Sequence, residues 1–202
     1  MPTILTLTDS LSERAGGLSH ATINLARSSA SLWPNARFVV LGMSDGPIVA
    51  NYPGITPSNF EIHTVPCFRN DFFPWSTQIS NLVDSLKPDL LHLRGLWRQP
   101  SITSLHWKVN NPQKPLIIQT AGMLEPWAFS RNGLLKKLFF NLIEKKLLAK
   151  CDLIHTTSFQ ESESIKALGF KPNKVAQVEE GVFMPDLLSL SRPSNLQKRN
   201  LL

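Results

Sequence analysis

The chain has 202 residues, of which 42% are hydrophobic and 18% are charged. This length fits one domain that buries roughly 70% of its unfolded surface, and no apolar run reaches the roughly 20 residues of a membrane-spanning helix. Residues 1–100 hold 7 basic and 7 acidic side chains and residues 101–202 hold 14 and 8, so the whole net charge of +6 lies in the second half. This charge favours an anionic neighbour such as a nucleotide, a phospholipid surface or a phosphorylated acceptor, without selecting among them.

The N-terminal segment and the cysteines bear on location and cofactors. Residues 1–7 have neither the basic start nor the long apolar stretch of a signal peptide, so we expect a cytoplasmic protein. Cys67 and Cys151 lie outside any Cys-x-x-Cys or Cys/His cluster and are predicted to be buried free thiols. Neither a metal site nor a cofactor is predicted.

Short apolar segments alternate with helical patterns along the chain, which predicts an α/β domain with a parallel sheet covered by helices on both faces. Strands are expected at residues 4–8, 37–42, 60–65, within 89–97, and at 116–120, 152–157 and 174–178. Helices are expected at residues 19–32, 75–87, from Pro100 onward, and at 133–150 and 160–168.

Two regions lack this regular patterning. The connection between the second and third strands contains Pro47, Pro53, Gly54 and Pro57 and is predicted to be an irregular loop. From Met184 onward the sequence gains Ser, Pro and Asn and is typical of a linker or loose tail. We therefore predict one domain over residues 1–183 and a linker over 184–202.

A paired-glycine turn follows the first predicted strand. Gly16 and Gly17 allow positive φ and close backbone approach, and the next helix would present its N-terminus to an anion, with a hydrogen bond from Ser19 or His20. The alternative is that the glycines only form a tight turn and that Ser19 caps the helix. The GxGxxG and GxxxxGK[ST] patterns are absent, which argues against a nicotinamide dehydrogenase and a P-loop nucleotidase.

A second turn, HLRGLW, follows the fourth predicted strand. Arg94 could bind a carboxylate or phosphate through its planar guanidinium group, beside Gly95 and Trp97. A lone histidine in an apolar strand, such as His92, is more often a hydrogen-bonded core residue than a catalyst.

Five lysines are spread over the predicted helix at residues 133–150. Lys136 and Lys145 fall on opposite sides of the helical wheel, whereas Leu135, Leu138 and Leu142 belong to a broad apolar arc. The pattern favours a core helix whose lysines reach water, and the alternative is a helix that lies on a membrane surface.

The segment from residue 119 to 170 resembles the second half of the N-terminal domain of GT-B glycosyltransferases of family four. The match rests on Gly122, Met123, Leu124, Pro126 and Trp127 in the loop TAGMLEPW, followed by Thr157, Ser158 and Glu161 in a Thr-Ser-x-x-Glu stretch. The resemblance covers nearly the whole chain and implies a Rossmann-like fold, the N-terminal half of a GT-B enzyme.

In that family the glycine turns face a cleft between two domains, which implies an acceptor site here. The implied acceptor or cleft-binding residues are Gly16, Gly17, Ser19, His20, Arg94, Gly95, Trp97, Gly122, Met123, Glu125 and Trp127, and Ser158 and Glu161 are implied to lie near the interdomain region. Glu125 and Trp127 could orient sugar hydroxyls and stack on a ring face. The alternative is that Trp127 packs under its loop and Glu125 pairs locally.

Four positions differ from the family pattern. Arg94 stands where a second histidine is frequent, and Ala121 replaces a polar residue that lies beside the transferred sugar in the wider group. Glu179 and Glu180 replace a Pro-Asn pair and would repel an anionic nucleotide. Catalytic residues are therefore not assigned, and we expect the chain to be inactive alone.

The sequence thus predicts the acceptor-binding half of an enzyme of polysaccharide biosynthesis, truncated before its donor-binding domain, that transfers a sugar from a nucleotide-sugar to a glycan or lipid-linked acceptor. A separate chain could carry the donor-binding half. We expect a cytoplasmic protein, with weak association at the inner face of the membrane left open, and no nucleic-acid partner. The alternative is a catalytically silent sugar-binding module or a truncated gene remnant.

Overall fold

A computed structural model describes residues 1–48, 56–68, 73–130 and 133–181, and its centre is a seven-stranded sheet. Every neighbouring pair of strands is parallel, in the order β3-β2-β1-β4-β5-β6-β7. The strands are β1 (Thr3–Ser10), β2 (Arg37–Ser44), β3 (Phe60–Pro66), β4 (Leu90–Arg94), β5 (Leu116–Gln119), β6 (Leu153–Thr156) and β7 (Val175–Gln177). All seven predicted strands and the predicted Rossmann-like architecture are confirmed.

The helices follow the strands in alternation. They are α1 (Gly17–Leu32), α2 (Ile79–Leu86), α3 (Gln99–Asn110), α4 (Pro126–Ser130), α5 (Gly133–Phe139), α6 (Lys145–Lys150) and α7 (Phe159–Ala167), with short 3₁₀ turns at Glu13–Ala15 and Pro172–Lys174. The short helix α4 was not predicted, because the sequence favours a loop there. Its first residue is Pro126, whose missing N–H costs nothing in a first helical turn.

The two faces of the sheet carry separate hydrophobic clusters, as alternation along buried strands requires. Ile23 and Ala26 of α1 pack with Phe38 and Val40 on one face. The other face packs against the remaining long helices, through the buried residues Leu5, Leu7, Val39, Leu41, Ile79, Val83, Leu91, Leu93, Trp107, Leu116, Ile118, Leu147, Leu148, Ile154 and Ile165. The prediction of helices on both faces is confirmed.

The predicted helix at residues 133–150 is not one regular α-helix. A π-helical turn at Phe140–Glu144 separates α5 from α6, and the Lys145 N–H donates to the Phe140 carbonyl five residues earlier. The extra residue in this turn directs Glu144 into the protein interior, where it is fully buried.

The expectation of a core helix at residues 133–150 holds only for its second half. Leu147 and Leu148 of α6 are fully buried, whereas Leu135, Leu138 and Leu142 are each more than half exposed. Periodicity predicted an apolar arc correctly, but it could not show that this arc faces a cleft rather than the core.

Several expectations lie partly or wholly outside the described residues. Pro53 and Gly54 of the irregular loop belong to this group, as does the tail from Met184 onward, so the division into residues 1–183 and 184–202 stays a prediction. Cys151 is a buried free thiol as predicted, whereas Cys67 is also free but only half-buried.

We expect Leu116→Ala to lower the free energy of unfolding by about 2–5 kcal/mol, because it empties a fully buried position in β5. Leu134→Ala is the matched control, since the Leu134 side chain is 84% exposed and its loss should change stability by less than about 0.5 kcal/mol. Urea unfolding of both variants measures the difference. Equal losses would contradict the packing of this face of the sheet.

Candidate functional site

A cleft of about 890 Å³ opens at the carboxyl ends of the strands, where turns leave backbone groups free. The strand order reverses between β1 and β4, and the segments after both strands meet at this point. The walls combine β1, the turn after β4, the loop after β5 and α5 with its π-helical turn. The lining residues are Thr8, Asp9, Ser10, Ala15, Leu18, Phe73, Arg94, Gly95, Leu96, Trp97, Arg98, Pro100, Ser101, Ala121, Gly122, Met123, Trp127, Ala128, Leu135, Lys136, Leu138, Phe139, Leu142 and Ile143.

The paired-glycine turn lies beside the cleft and brings Ala15 and Leu18 to its wall. Gly16 has φ +66°, and α1 begins at Gly17. Ser19 is neither a helix cap nor open to a ligand: it lies within the helix, is fully buried and donates its hydroxyl hydrogen bond to the Ser10 carbonyl at 2.9 Å. The cap prediction was therefore wrong, because the helix begins two residues earlier than the sequence suggested. His20 is exposed.

Arg94 is almost completely buried, and its charge is met by a carboxylate of the chain itself. Its guanidinium donates to Glu180, which also accepts from the Gln119 side-chain amide, and Nη1 donates to the Ala21 carbonyl at 3.3 Å. The binding of a carboxylate predicted for Arg94 thus takes place inside the chain. The sequence suggested that Glu180 would repel an anionic nucleotide. In the structure the Glu180 carboxylate instead neutralises Arg94.

The turn after β4 depends on left-handed backbone conformations. Gly95 has φ +86° and Trp97 has φ +71°. The Trp97 N–H donates to Glu144 Oε1 at 2.6 Å, and its indole N–H donates to the Met123 carbonyl at 3.2 Å. Trp97 therefore links this turn to the loop after β5 through its indole and to the π-helical turn through its backbone N–H.

Glu144 lies behind the cleft wall and was missed in the sequence, where it looked like one more surface charge of a lysine-rich helix. Burial raises the pKa of its carboxyl to about 7, although the Trp97 N–H opposes the shift.

The loop after β5 is held by one buried carboxylate. Glu161 accepts hydrogen bonds from the Thr120 hydroxyl, from the Gly122 N–H at 2.6 Å and from the Thr157 N–H at 2.7 Å. Its own N–H donates to the Ser158 hydroxyl, which caps α7. Glu161 therefore holds the cleft loop, and Ser158 caps the helix that carries Glu161. A contact of these two residues with a second domain stays a prediction.

Within that loop, Ala121 and Gly122 both have positive φ, at +49° and +72°. The Met123 sulfur accepts the Leu96 N–H at 3.1 Å, which joins the two loops. Ala121, Gly122 and Met123 all line the cleft. The position of the missing polar side chain is thus on the cleft wall, as the resemblance implied.

Trp127 does not pack under its loop, since its side chain is 65% exposed and lines the cleft. Its indole N–H donates to Glu125 Oε2 at 2.8 Å, so Glu125 pairs locally, as in the alternative interpretation, and acceptor binding by both residues stays a prediction. An exposed indole held at one edge by a carboxylate presents a fixed apolar surface to a ligand.

His92 is not the hydrogen-bonded core residue that the sequence suggested. Its Nε2 atom is buried and has no hydrogen-bond partner within the described residues, and its ring lies 5.9 Å from that of His155. Burial, together with Arg94 and His155, lowers the pKa of His92 to about 3, so the ring is neutral. A neutral ring with no bonded partner gives His92 no catalytic relay in the described structure.

Asp9 and Arg98 complete the cleft and were also missed in the sequence. Asp9 ends the apolar run of β1, and Arg98 immediately precedes α3, with Arg98 Nε 3.8 Å from Asp9 Oδ2. The sequence signal was weak: Asp9 lies near the end of a strand and Arg98 precedes a helix, and many purely structural residues occupy such positions.

The described residues also bear on metal binding and on membrane insertion. They contain no group of three or more His, Cys, Asp or Glu side chains arranged to hold a metal ion. No helix within the described ranges is long and apolar enough to cross a membrane.

The model of Glycosyltransferase Family 4 matches residues 15–183 of the chain. A search of curated proteins found no match. Among solved structures, HepE from Anabaena in complex with UDP and glucose is similar over 90% of this chain and 45% of its own, with a TM-score of 0.57 and 13% identity.

Two further structures show the same fold. UDP-GlcNAc 2-epimerase from Neisseria meningitidis, bound to UDP-GlcNAc, is 11% identical with a TM-score of 0.54, over 87% of this chain and 45% of that one. MnaA from S. aureus, solved with UDP, is 14% identical with a TM-score of 0.54, over 88% and 44%. The chain therefore spans less than half the length of these structures, and its fold is that of a GT-B N-terminal-type domain.

We expect Glu180→Gln to destabilise the protein by about 2–4 kcal/mol, because it leaves the buried Arg94 charge without a counter-ion. The double variant Arg94→Met/Glu180→Gln should recover most of that loss, since it removes both charges. Chemical unfolding of the wild type, both single variants and the double variant gives the coupling. Glu179→Gln is the control, because Glu179 is exposed, and a loss equal to that of Glu180→Gln would contradict the pairing.

We expect Glu161→Gln to loosen the loop after β5, because an amide N–H would then face donors such as the Gly122 N–H. Hydrogen exchange at Gly122 and Thr157 should become at least about tenfold faster, with a stability loss of about 1–3 kcal/mol. Glu163→Gln, on the exposed side of the same helix, should leave both rates unchanged. Unchanged exchange in Glu161→Gln would show that another group holds the loop.

Proposed function

The chain belongs to Glycosyltransferase Family 4, and we propose that its cleft binds the acceptor in a reaction that transfers a sugar from a nucleotide-sugar. The observation that carries this proposal is an open cleft at the carboxyl ends of a parallel sheet, in a domain of that family. The acceptor is a glycan or a lipid-linked compound in polysaccharide biosynthesis. Donor chemistry is assigned to a second domain.

The charges of the cleft favour an acceptor over a nucleotide diphosphate. Three cations line the cleft in the described part of the chain, and each has a partner of its own. Arg94 pairs with Glu180, Arg98 lies beside Asp9, and Lys136 donates to the Ala128 carbonyl at 2.5 Å. A diphosphate would have to compete with these contacts, whereas a neutral sugar or lipid would not.

The shape and chemistry of the wall support a sugar-sized ligand. Trp127 presents an exposed indole face, and the carboxylate of Glu125 fixes its orientation. The Trp97 ring is held by hydrogen bonds at both its backbone and its indole N–H. Rigid aromatic surfaces of this kind pack against the apolar faces of sugar rings at little entropic cost.

The donor half is proposed from the proteins to which this chain is similar. HepE from Anabaena holds UDP and glucose in a chain of which this one covers 45%. We propose that a nucleotide-sugar site lies on a complementary domain, carried by a separate chain or by a further part of the same protein. The protein would act in the cytoplasm or at the inner face of the membrane, and this chain alone would not turn over its substrates.

One observation favours a second candidate function, a sugar-binding module without catalysis. Ala121 lines the cleft with a methyl group at the position where the resemblance implied a polar side chain beside the transferred sugar. A methyl group neither donates a hydrogen bond nor stabilises developing charge. Such a module would bind the acceptor and leave the donor unchanged.

The test joins the full chain to the donor-binding half of HepE and supplies UDP-glucose with an alkyl glucoside as acceptor. We expect UDP release that depends on the acceptor, at a rate roughly 10³-fold or more above that of the chain alone, because donor and acceptor are then held together. The matched control joins the Trp127→Ala variant of the chain to the same half. It should lose most of the acceptor-dependent rate.

Two results would contradict the transfer proposal. Acceptor binding without UDP release in the fusion would favour the silent module. Conversion of UDP-GlcNAc to its C2 epimer without any acceptor would instead favour an epimerase, the activity named for the structure from Neisseria meningitidis.

A further inference from the structure

Asp9 is the one acidic side chain among the residues that line the cleft in the described structure, and its carboxylate is not fully used. It stands at the carboxyl end of β1, where the strand order reverses, and its side chain is 35% exposed. The Oδ1 atom is buried without a hydrogen-bond partner in the described ranges. With one oxygen unpaired, the carboxylate is poorly compensated, so a ligand donor that reaches its exposed part would be stabilising.

The charges around Asp9 leave room for such a donor. The Arg98 Nε atom lies 3.8 Å from Asp9 Oδ2, which is longer than a hydrogen bond. The Asp45 carboxylate is nearby and accepts a hydrogen bond from the Ser10 hydroxyl at 2.6 Å. Burial raises the pKa of the Asp9 carboxyl to about 6, with Arg98 lowering it and Asp45 raising it further. A ligand hydroxyl beside Asp9 could donate to the carboxylate.

The same cleft also has an open apolar surface. Leu135, Leu138 and Leu142, together the leucine face, are exposed by 54%, 56% and 52% and all line the cleft. Phe139 also lines it, with its ring 6.4 Å from that of Trp97. Exposed leucines in a concave wall gain stability when an apolar ligand covers them.

We propose that Asp9 binds a hydroxyl group of an amphipathic acceptor whose apolar carrier lies along the leucine face. The inference rests on the proposed function and narrows its acceptor from a glycan or lipid-linked compound to the lipid-linked class. A free glycan would leave the leucine face uncovered, and the phosphates of a nucleotide would compete with the contacts that Arg94, Arg98 and Lys136 already make. A carboxylate and an apolar face within one cleft match a polar head joined to an apolar chain.

The experiment uses the full chain and two probes, octyl β-D-glucoside below its critical micelle concentration and methyl β-D-glucoside. Calorimetry and tryptophan fluorescence measure binding, since Trp97 and Trp127 line the cleft. We expect the octyl compound to bind at least about tenfold more tightly than the methyl compound, because only its chain covers the leucine face.

Matched variants separate the two contacts. Asp9→Asn should weaken octyl glucoside binding about tenfold, because it removes a charge-assisted hydrogen bond, whereas Asp84→Asn on the exposed side of α2 should not. Leu138→Ser should weaken binding about five- to tenfold, whereas Leu134→Ser should not, because Leu134 is exposed but lies outside the cleft.

The pH profile gives an independent readout of Asp9. Wild-type affinity should fall as the pH is lowered through about 6, because protonation removes the charged acceptor, and the Asp9→Asn variant should show no such fall. Equal binding by Asp9→Asn and the wild type would overturn the role of Asp9. Equal losses in Leu138→Ser and Leu134→Ser would overturn the apolar track and indicate detergent adsorption.

The outcomes also separate this inference from the proposed function. Octyl glucoside binding that depends on Asp9 and Leu138, without transfer in the HepE fusion, would support the binding site and contradict the transfer proposal. Transfer that is unaffected by Asp9→Asn and Leu138→Ser would support the proposed function and overturn the amphipathic site.

Discussion

The cleft depends on three carboxylates, two buried and one partly buried, that accept hydrogen bonds from distant parts of the chain. Glu161, from α7, accepts the donors of the loop after β5, Glu144 accepts the Trp97 N–H, and Glu180 accepts from Arg94 and Gln119. Each carboxylate bonds to at least one group 39 or more residues away along the chain, so these bonds are not local turn contacts. An unpaired donor or charge in these positions would cost a large fraction of the total stability of a domain this size.

These contacts explain why the wall can adopt unfavourable backbone conformations. Trp97 and Ala121 both have positive φ, which costs free energy in residues other than glycine. Glu144 bonds to Trp97 itself, and Glu161 bonds to Thr120 and Gly122 on either side of Ala121. The carboxylates therefore hold strained segments next to the ligand space, and the π-helical turn is what brings Glu144 within reach.

The same network determines what the cleft can bind. Glu180 neutralises Arg94 within the chain, and Arg98 and Lys136 have contacts of their own. In the described residues a diphosphate would therefore have to compete for each cation that lines the cleft. What remains open to a ligand is a partly exposed Asp9, the indole of Trp127 and the leucine face. This composition is the basis of the proposal that the cleft holds an acceptor.

The amino-acid sequence by itself determined the seven strands, the long helices and the family resemblance, because alternation of apolar residues and glycine turns are local properties. It also indicated Gly122, Met123 and Trp127 as cleft residues through a continuous loop. It did not show the pairing of Arg94 with Glu180, the burial of Glu144, the place of Asp9 beside Arg98 or the burial of Ser19 inside α1. Only the tertiary structure decided these, because each depends on strand order and on a helix irregularity that bring together residues far apart in the chain.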